Sequence, residues 1–199
     1  MGYANSDRGA PAPMAVKILI AGGFGVGKTT LVGAVSEVPP LRTEEYLTHA
    51  SVGVDDLEGV SGKATTTVAL DFGRITINKR LVLYLFGTPG QERFWFMWND
   101  LVNGALGAVV LVDTRRLEVS FASIDFFESR GIPFVVGVNC FHGVRDRTQE
   151  EVRKALDLDP QVPLVLCDAR DRAAGRDVLL ALVDHLMAAR SGSAPRPAV

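Results

Sequence analysis

Eight consecutive residues, Gly22-Gly23-Phe24-Gly25-Val26-Gly27-Lys28-Thr29, limit the folds open to this chain more than any other stretch of it. They satisfy G-x-x-x-x-G-K-[ST] between an apolar run of strand length (16–21) and a helix-forming stretch (29–37) that stops at Pro39-Pro40. A strand that ends in such a loop and re-enters as a helix directs several backbone N–H groups into one hollow. The glycines let the backbone curl, and the helix start adds unpaired donors and a positive dipole. Phosphate oxygens suit that hollow. Lys28 would add a point charge, the Thr29 hydroxyl would ligate a magnesium ion, and Thr30 follows on the same helical turn.

The rest of the chain alternates short apolar runs with helical patterns. Residues 67–77 and 81–86 read as strands flanking Asn78-Lys79, a hairpin signal. Strands are expected at 105–112, 133–139 and 163–167. Helices are expected at 118–130, 148–156 and 173–189, the second opened by Thr148 with Glu151 three residues on. Residues 44–63, with Gly and Asp scattered through them, read as a long loop. The pattern predicts an α/β P-loop fold: a central, mainly parallel six-stranded sheet with one antiparallel edge strand and helices on both faces. A chain of 199 residues suits one such domain, at 14–190, with a flexible leader at 1–13 and a flexible tail at 191–199.

Charge and cysteine content exclude several classes. A net charge of −2 argues against a nucleic-acid footprint. No apolar run approaches the ~20 residues of a membrane span. The two cysteines, Cys140 and Cys167, are too few for a disulfide scaffold and point to a reducing cytoplasm. His49 and His185 have no companions at metal-ligand spacing. The preponderance of arginine over lysine points to a high-GC bacterial genome.

Four segments carry a family resemblance. Phe86-Gly87-Thr88-Pro89-Gly90-Gln91-Glu92-Arg93-Phe94 resembles the D-T-A-G-Q-E-R-F segment of Ras-like small GTPases. Thr67-Val68-Ala69-Leu70-Asp71-Phe72 is similar to the T-I-G-V-D-F stretch of Rab-type members. Asn139-Cys140-Phe141-His142 stands at the place of N-K-x-D, and Asp168-Ala169-Arg170 at the place of S-A-K. Together with L-V-D-T-R-R-L, these segments most resemble the small GTP-binding proteins of actinobacterial conservon operons, relatives of bacterial polarity GTPases. The resemblance implies GTP/GDP binding with Mg2+ and slow GTP hydrolysis. Gly90 would sense the γ-phosphate and Gln91 would orient the attacking water. Thr67 would join Thr29 at the metal. Asn139, Cys140, His142, Asp168, Ala169 and Arg170 would surround the base, with the Ala169 N–H meeting the guanine oxygen. The resemblance also implies a Roadblock-type partner and a membrane sensor-kinase-like partner that would recruit the chain to the membrane.

The sequence departs from that pattern at four positions. Gly87 replaces the aspartate that holds the Mg2+ shell; Asp71 and Asp113 are the nearby carboxylates able to substitute. Phe24 replaces a glycine beside the γ-phosphate and would crowd Gln91 or an inserted arginine. Cys140 replaces a lysine that packs along the base. His142 replaces the carboxylate that accepts two N–H bonds from guanine; a neutral imidazole offers one acceptor. These changes leave a second reading open, a degenerate binding module that contacts partners without hydrolysis. A P-loop phosphotransferase would need an arginine-rich lid, and none is evident. Large apolar residues crowd 94–98, and on a helix they cannot all face one core, so part of the run is expected on a partner surface. Arg42 reads either as an internal arginine finger, which polarity GTPases suggest, or as a solvated loop residue. Arg115 and Arg116 read as a loop charge pair or a docking patch.

Overall fold

The computed structural model describes residues 12–39, 41–47 and 66–192. The leader and tail read at 1–13 and 191–199, and much of the long loop, lie largely outside the described residues. In chain order the elements are β1 (Met14–Ala21), α1 (Lys28–Val35), β2 (Leu41–Leu47), β3 (Thr66–Asn78), β4 (Leu81–Gly87), a 3-10 turn (Glu92–Met97), α2 (Trp98–Leu101) and β5 (Ala105–Val112). A 3-10 turn (Leu117–Ser120) then leads into α3 (Phe121–Ser129), β6 (Phe134–Asn139), α4 (Gln149–Ala155), β7 (Leu164–Cys167) and α5 (Arg172–Gly192).

The strands form one sheet in the order β2-β3-β4-β1-β5-β6-β7. β4, β1, β5, β6 and β7 run parallel, and β3 lies antiparallel to β4. Those six strands are the sheet the sequence predicts. A seventh, β2, pairs antiparallel outside β3. Its cause is a mismatch of lengths. β3 has 13 residues and β4 has 7, and β4 pairs only from Phe72 onward. The leading half of β3 would be an edge on both sides, and Leu41–Leu47 pairs along it from Leu41↔Phe72 to Leu47↔Thr66.

Period-two alternation splits the core into two layers. Ile18 and Ile20 face α1 and α5 with Leu31, Val35, Val178 and Leu182. Leu19 and Ala21 face the opposite layer with Trp98, Ile124, Phe127 and Val152. A Cβ on Gly175 would lie 2.6 Å from Val35 Cγ1, so α5 and α1 pack in contact there. α1 stops two residues earlier than its pattern suggests. The Ser36 hydroxyl accepts the Val38 and Arg74 N–H groups and fixes the helix end to β3. α4 carries the expected capping box between Thr148 and Glu151.

This arrangement decides where a ligand can sit. The order reverses at β1, flanked by β4 and β5, so the loops leaving β1, β4, β5, β6 and β7 emerge at one edge. In open α/β sheets the crevice beyond such strand ends is where ligands bind.

Candidate functional site

The loop after β1 is built around Lys28. Its Nζ donates to the Gly22 and Gly23 carbonyls at 2.8 and 2.7 Å. Burial lowers its pKa to about 8, against the opposing pull of Asp71. Gly27 has φ 105°, and a Cβ there would stand 2.6 Å from Asn139 Nδ2, so both conformation and space demand glycine. Asn139, at the end of β6, donates through Nδ2 to the Val26 carbonyl at 2.9 Å and accepts the Ala169 N–H on Oδ1 at 3.0 Å. One buried amide thus joins three loops. The Ala169 N–H, which the resemblance directs at the base oxygen, is engaged with Asn139.

At the helix start, Thr29 Oγ1 donates to Asp71 Oδ2 at 2.6 Å. Asp71 is 8% exposed. A Cβ on Gly87 would lie 2.9 Å from Asp71 Cβ and 3.1 Å from Oδ2. The carboxylate from β3 therefore fills the volume that an aspartate at position 87 would claim. Asp113, the other carboxylate considered, is committed elsewhere. Arg115 Nε and Nη2 bind its two oxygens, each at 2.8 Å, and hold its pKa below the usual carboxylate range.

Gly90 lies against the phosphate loop: a Cβ there would stand 2.5 Å from Lys28 Nζ and 2.9 Å from the Gly23 carbonyl. Gln91, Gly90, Phe24, Trp95 and Arg116 share a cavity of about 280 Å³. The Phe24 ring is 66% exposed, so it stands at the mouth of the site instead of filling it. Gly25 and Val26 complete the loop, Val26 fully buried, and Thr30 is exposed on α1. The aromatic run divides as helical geometry requires. Phe94 and Trp98 are buried, Trp95 is half-buried and Phe96 is 59% exposed. Trp98 Nε1 donates to the Pro89 carbonyl at 3.1 Å and fixes the approach to Gly90.

Around the base position, the Cys140 N–H donates to the Cys167 carbonyl at 2.6 Å. Burial pushes both thiols up, Cys167 to about 12, which leaves them as quiet packing groups. His142 has φ 60° and places Nδ1 2.9 Å from Arg170 Nη1. Arg170 in turn forks onto Asp168, with Nε at 3.0 Å from Oδ1 and Nη2 at 2.6 Å from Oδ2. That pairing holds the Asp168 carboxyl well below its ordinary range.

Thr67 is not brought to Thr29. It sits on β3 opposite Tyr46, four residues before Asp71 and so about 13 Å along the strand from it. Arg42 is the register partner of Asp71 on β2. Two roles escape sequence reasoning. Arg116 Nη2 donates to the Phe24 carbonyl at 3.0 Å, and Arg115 lies over the Phe141 ring at 3.9 Å. The doublet is therefore a pair of loop ties; its only sequence signal is the neighbouring Asp113. Among the described residues no cluster of three or more His, Cys, Asp or Glu could hold a metal, and no helix is long and apolar enough to cross a membrane.

Known proteins share both sequence and fold. An uncharacterized protein of Methanocaldococcus jannaschii is 32% identical over 126 residues, 62% of this chain and 69% of that protein. The Ras-related protein Rab-1C of Dictyostelium discoideum is 24% identical over 181 residues, 87% of this chain and 81% of that one. The G domain of the T. maritima FeoB iron transporter superposes with a TM-score of 0.59 over 86% of this chain and 99% of that one, at 17% identity, a likeness of fold. A family model described as "Conserved hypothetical ATP binding protein" matches residues 20–189, through every loop of the site, and the chain belongs to that family.

Proposed function

We propose that this chain is a Ras-like molecular switch that binds GTP and GDP with Mg2+, hydrolyses GTP slowly and signals to a protein partner. One observation carries the reading: the Thr29 hydroxyl is paired with the Asp71 carboxylate over Gly87, beside the lysine of the phosphate loop. A decayed pocket has no need to keep a buried carboxylate at the helix start. Here the side chain lost at position 87 is matched by one supplied from the adjacent strand, which favours a working site over the degenerate binding module.

Thr29 and Asp71 are the residues that would hold magnesium, which would neutralise charge on the phosphate tail. Lys28, freed from the Gly22 and Gly23 carbonyls, would turn its charge to the terminal phosphates. Gly90, packed against Lys28, would report the γ-phosphate through its N–H. Gln91 would orient water in the cavity it shares with Phe24, and the ring at the mouth of that cavity would limit the room the glutamine has. Residues 87–99 would be ordered by the triphosphate and released after hydrolysis; the other switch segment, read at 42–67, lies largely outside the described residues. A Roadblock-type protein would dock on the chain, with a membrane sensor-kinase-like complex beyond it and the chain itself cytoplasmic; the exposed Phe24 and Phe96 rings are apolar groups available to such a partner. The relatives differ in the nucleotide they suggest, since the matching family is described as ATP binding and Rab-1C is Ras-related.

The test is to denature the purified protein, identify any released nucleotide by chromatography, and titrate GTP with magnesium by calorimetry. Binding by the wild type and its loss in Lys28→Ala are expected. No heat with either protein leaves the binding module.

A further inference from the structure

We infer that Arg116 is a catalytic residue of the proposed hydrolysis: the loop after β5 supplies, from the chain itself, the cation that stabilises charge on the departing phosphate. The inference rests on the GTP-hydrolysing reading above and concerns which residue completes that site.

The two arginines of the doublet are turned to different tasks. Arg115 takes both oxygens of Asp113, each at 2.8 Å, and lies over the Phe141 ring. Arg116 Nη2 stands 3.7 Å from Asp113 Oδ2, beyond hydrogen-bond distance. It turns instead to the phosphate loop, where the same nitrogen donates to the Phe24 carbonyl at 3.0 Å. A Cβ on Gly25 would lie 3.3 Å from that nitrogen, so the cation rests on the middle of the glycine-rich loop. Both contacts use Nη2, and among the described residues Nε and Nη1 have no hydrogen-bond partner.

Two cations are therefore bonded to consecutive carbonyls of the loop, Lys28 to Gly23 and Arg116 to Phe24. Each carbonyl is a neutral acceptor, and a charged phosphate oxygen makes the stronger bond. Arg116 also shares one cavity of about 280 Å³ with Gly23, Gly90 and Gln91, the groups assigned to the γ-phosphate and the attacking water. Glu118 is the other charged residue on its wall and makes no ion pair with Arg116.

In the reaction a water oxygen bonds to the γ-phosphorus while the bond from that phosphorus to the bridging oxygen breaks. The electron pair of the broken bond stays on the bridging oxygen, now part of GDP. Both protons of the water leave on the phosphate product, H2PO4−. Charge shifts onto the bridging oxygen as the bond breaks, and a guanidinium donating there stabilises it. Its planar fork can hold the bridging oxygen and a γ-oxygen together, which a lysine ammonium does not do. The Phe24 ring stands at the mouth of the cavity, where an arginine brought by a partner would have to pass, whereas Arg116 is already on its wall.

The experiment compares the wild type, Arg116→Ala and Arg116→Lys in single-turnover GTP hydrolysis and in titration with GTP and GDP, all with magnesium. Uptake of aluminium fluoride onto bound GDP, a mimic of the transferring phosphoryl group, is followed by tryptophan fluorescence, since Trp95 lines the cavity. Both variants should hydrolyse at least about a hundredfold more slowly than the wild type, with nucleotide midpoints within about threefold of it. The wild type should take up aluminium fluoride and neither variant should. Lysine keeps an N–H donor for the Phe24 carbonyl, so a residue that only ties the loop would be rescued by it. Wild-type rates in either variant, or nucleotide affinity lost in step with the rate, would leave Arg116 a loop tie and the switch standing. A wild type that binds nucleotide without taking up aluminium fluoride overturns the inference equally. Failure of the wild type to bind GTP removes both.

Discussion

Thr29 on α1 and Asp71 on β3, 42 positions apart in sequence, meet in a hydrogen bond of 2.6 Å directly over the bare Cα of Gly87. The antiparallel ladder explains the coincidence. Phe72 pairs with Phe86, so Asp71 and Gly87 are the next two positions along the same ladder. A carboxylate on either strand reaches the same space, and that space holds one side chain. Gly87→Asp alone should clash with Asp71 and destabilise the fold.

Asp71→Asn should weaken magnesium-dependent retention of nucleotide. Residues that orient a metal site typically contribute about 10–100-fold to metal affinity. The check is the release rate of a fluorescent nucleotide with magnesium and with chelator. Magnesium should slow release from the wild type by at least about tenfold more than from the variant. Asp71→Gly combined with Gly87→Asp should recover part of the difference; equal magnesium effects in wild type and Asp71→Asn would remove Asp71 from the site.

Lys28 ties stability to pH in the nucleotide-free protein. Its pKa is lowered by burial from 10.5 to about 8 in the folded chain. Between those values the unfolded chain binds the proton and the folded chain does not, so stability rises with pH across that window. Below it, holding the buried charge costs at most about 3 kcal/mol. Chemical denaturation of the wild type and of Lys28→Met from pH 7 to 10 should show the wild type gaining on the variant as pH rises. Parallel curves would mean that the amine is solvated.

Much of this architecture is legible before any coordinates. The Gly22–Thr29 loop, the β3–β4 hairpin, the Thr148 cap and the alternation of both core layers follow from local spacing, and local spacing is what periodicity reports. The hairpin turn itself falls one residue later than the Asn78-Lys79 signal, at Lys79-Arg80, because Asn78 still pairs with Leu81 while its Oδ1 accepts the Arg80 N–H. What resists sequence reading depends on which residues face each other across elements. Asp71 could be named as a substitute for the missing aspartate but not chosen over Asp113, because the choice depends on strand register. The same holds for β2, whose pairing reflects the unequal lengths of β3 and β4, and for Arg116, whose partner is a backbone carbonyl 92 positions away.

Gln91→Leu should lower the rate of phosphate release by at least about tenfold without weakening nucleotide binding, since Gln91 is asked only to orient water. Single-turnover hydrolysis and nucleotide titration on the same preparation separate the two effects. Unchanged hydrolysis would remove Gln91 from the reaction.

Phe24→Ala tests whether this ring limits the proposed hydrolysis. The ring is 66% exposed, and Arg116 holds the residue through its backbone carbonyl, so truncation removes neither core packing nor that hydrogen bond. Stability should change by no more than about 0.5 kcal/mol, the range of ordinary surface substitutions. The cavity shared with Gln91 and Gly90 would widen at its mouth, giving Gln91 room to reach a water molecule. Faster single-turnover hydrolysis at unchanged nucleotide affinity is therefore expected. A double variant, Phe24→Ala/Gln91→Leu, should lose the gain, because the ring acts on the rate only through the glutamine. If Phe24→Ala speeds hydrolysis equally with and without Gln91, crowding of the glutamine is not the cause; if it slows hydrolysis, the ring contributes to the site and Phe24 is not an obstruction.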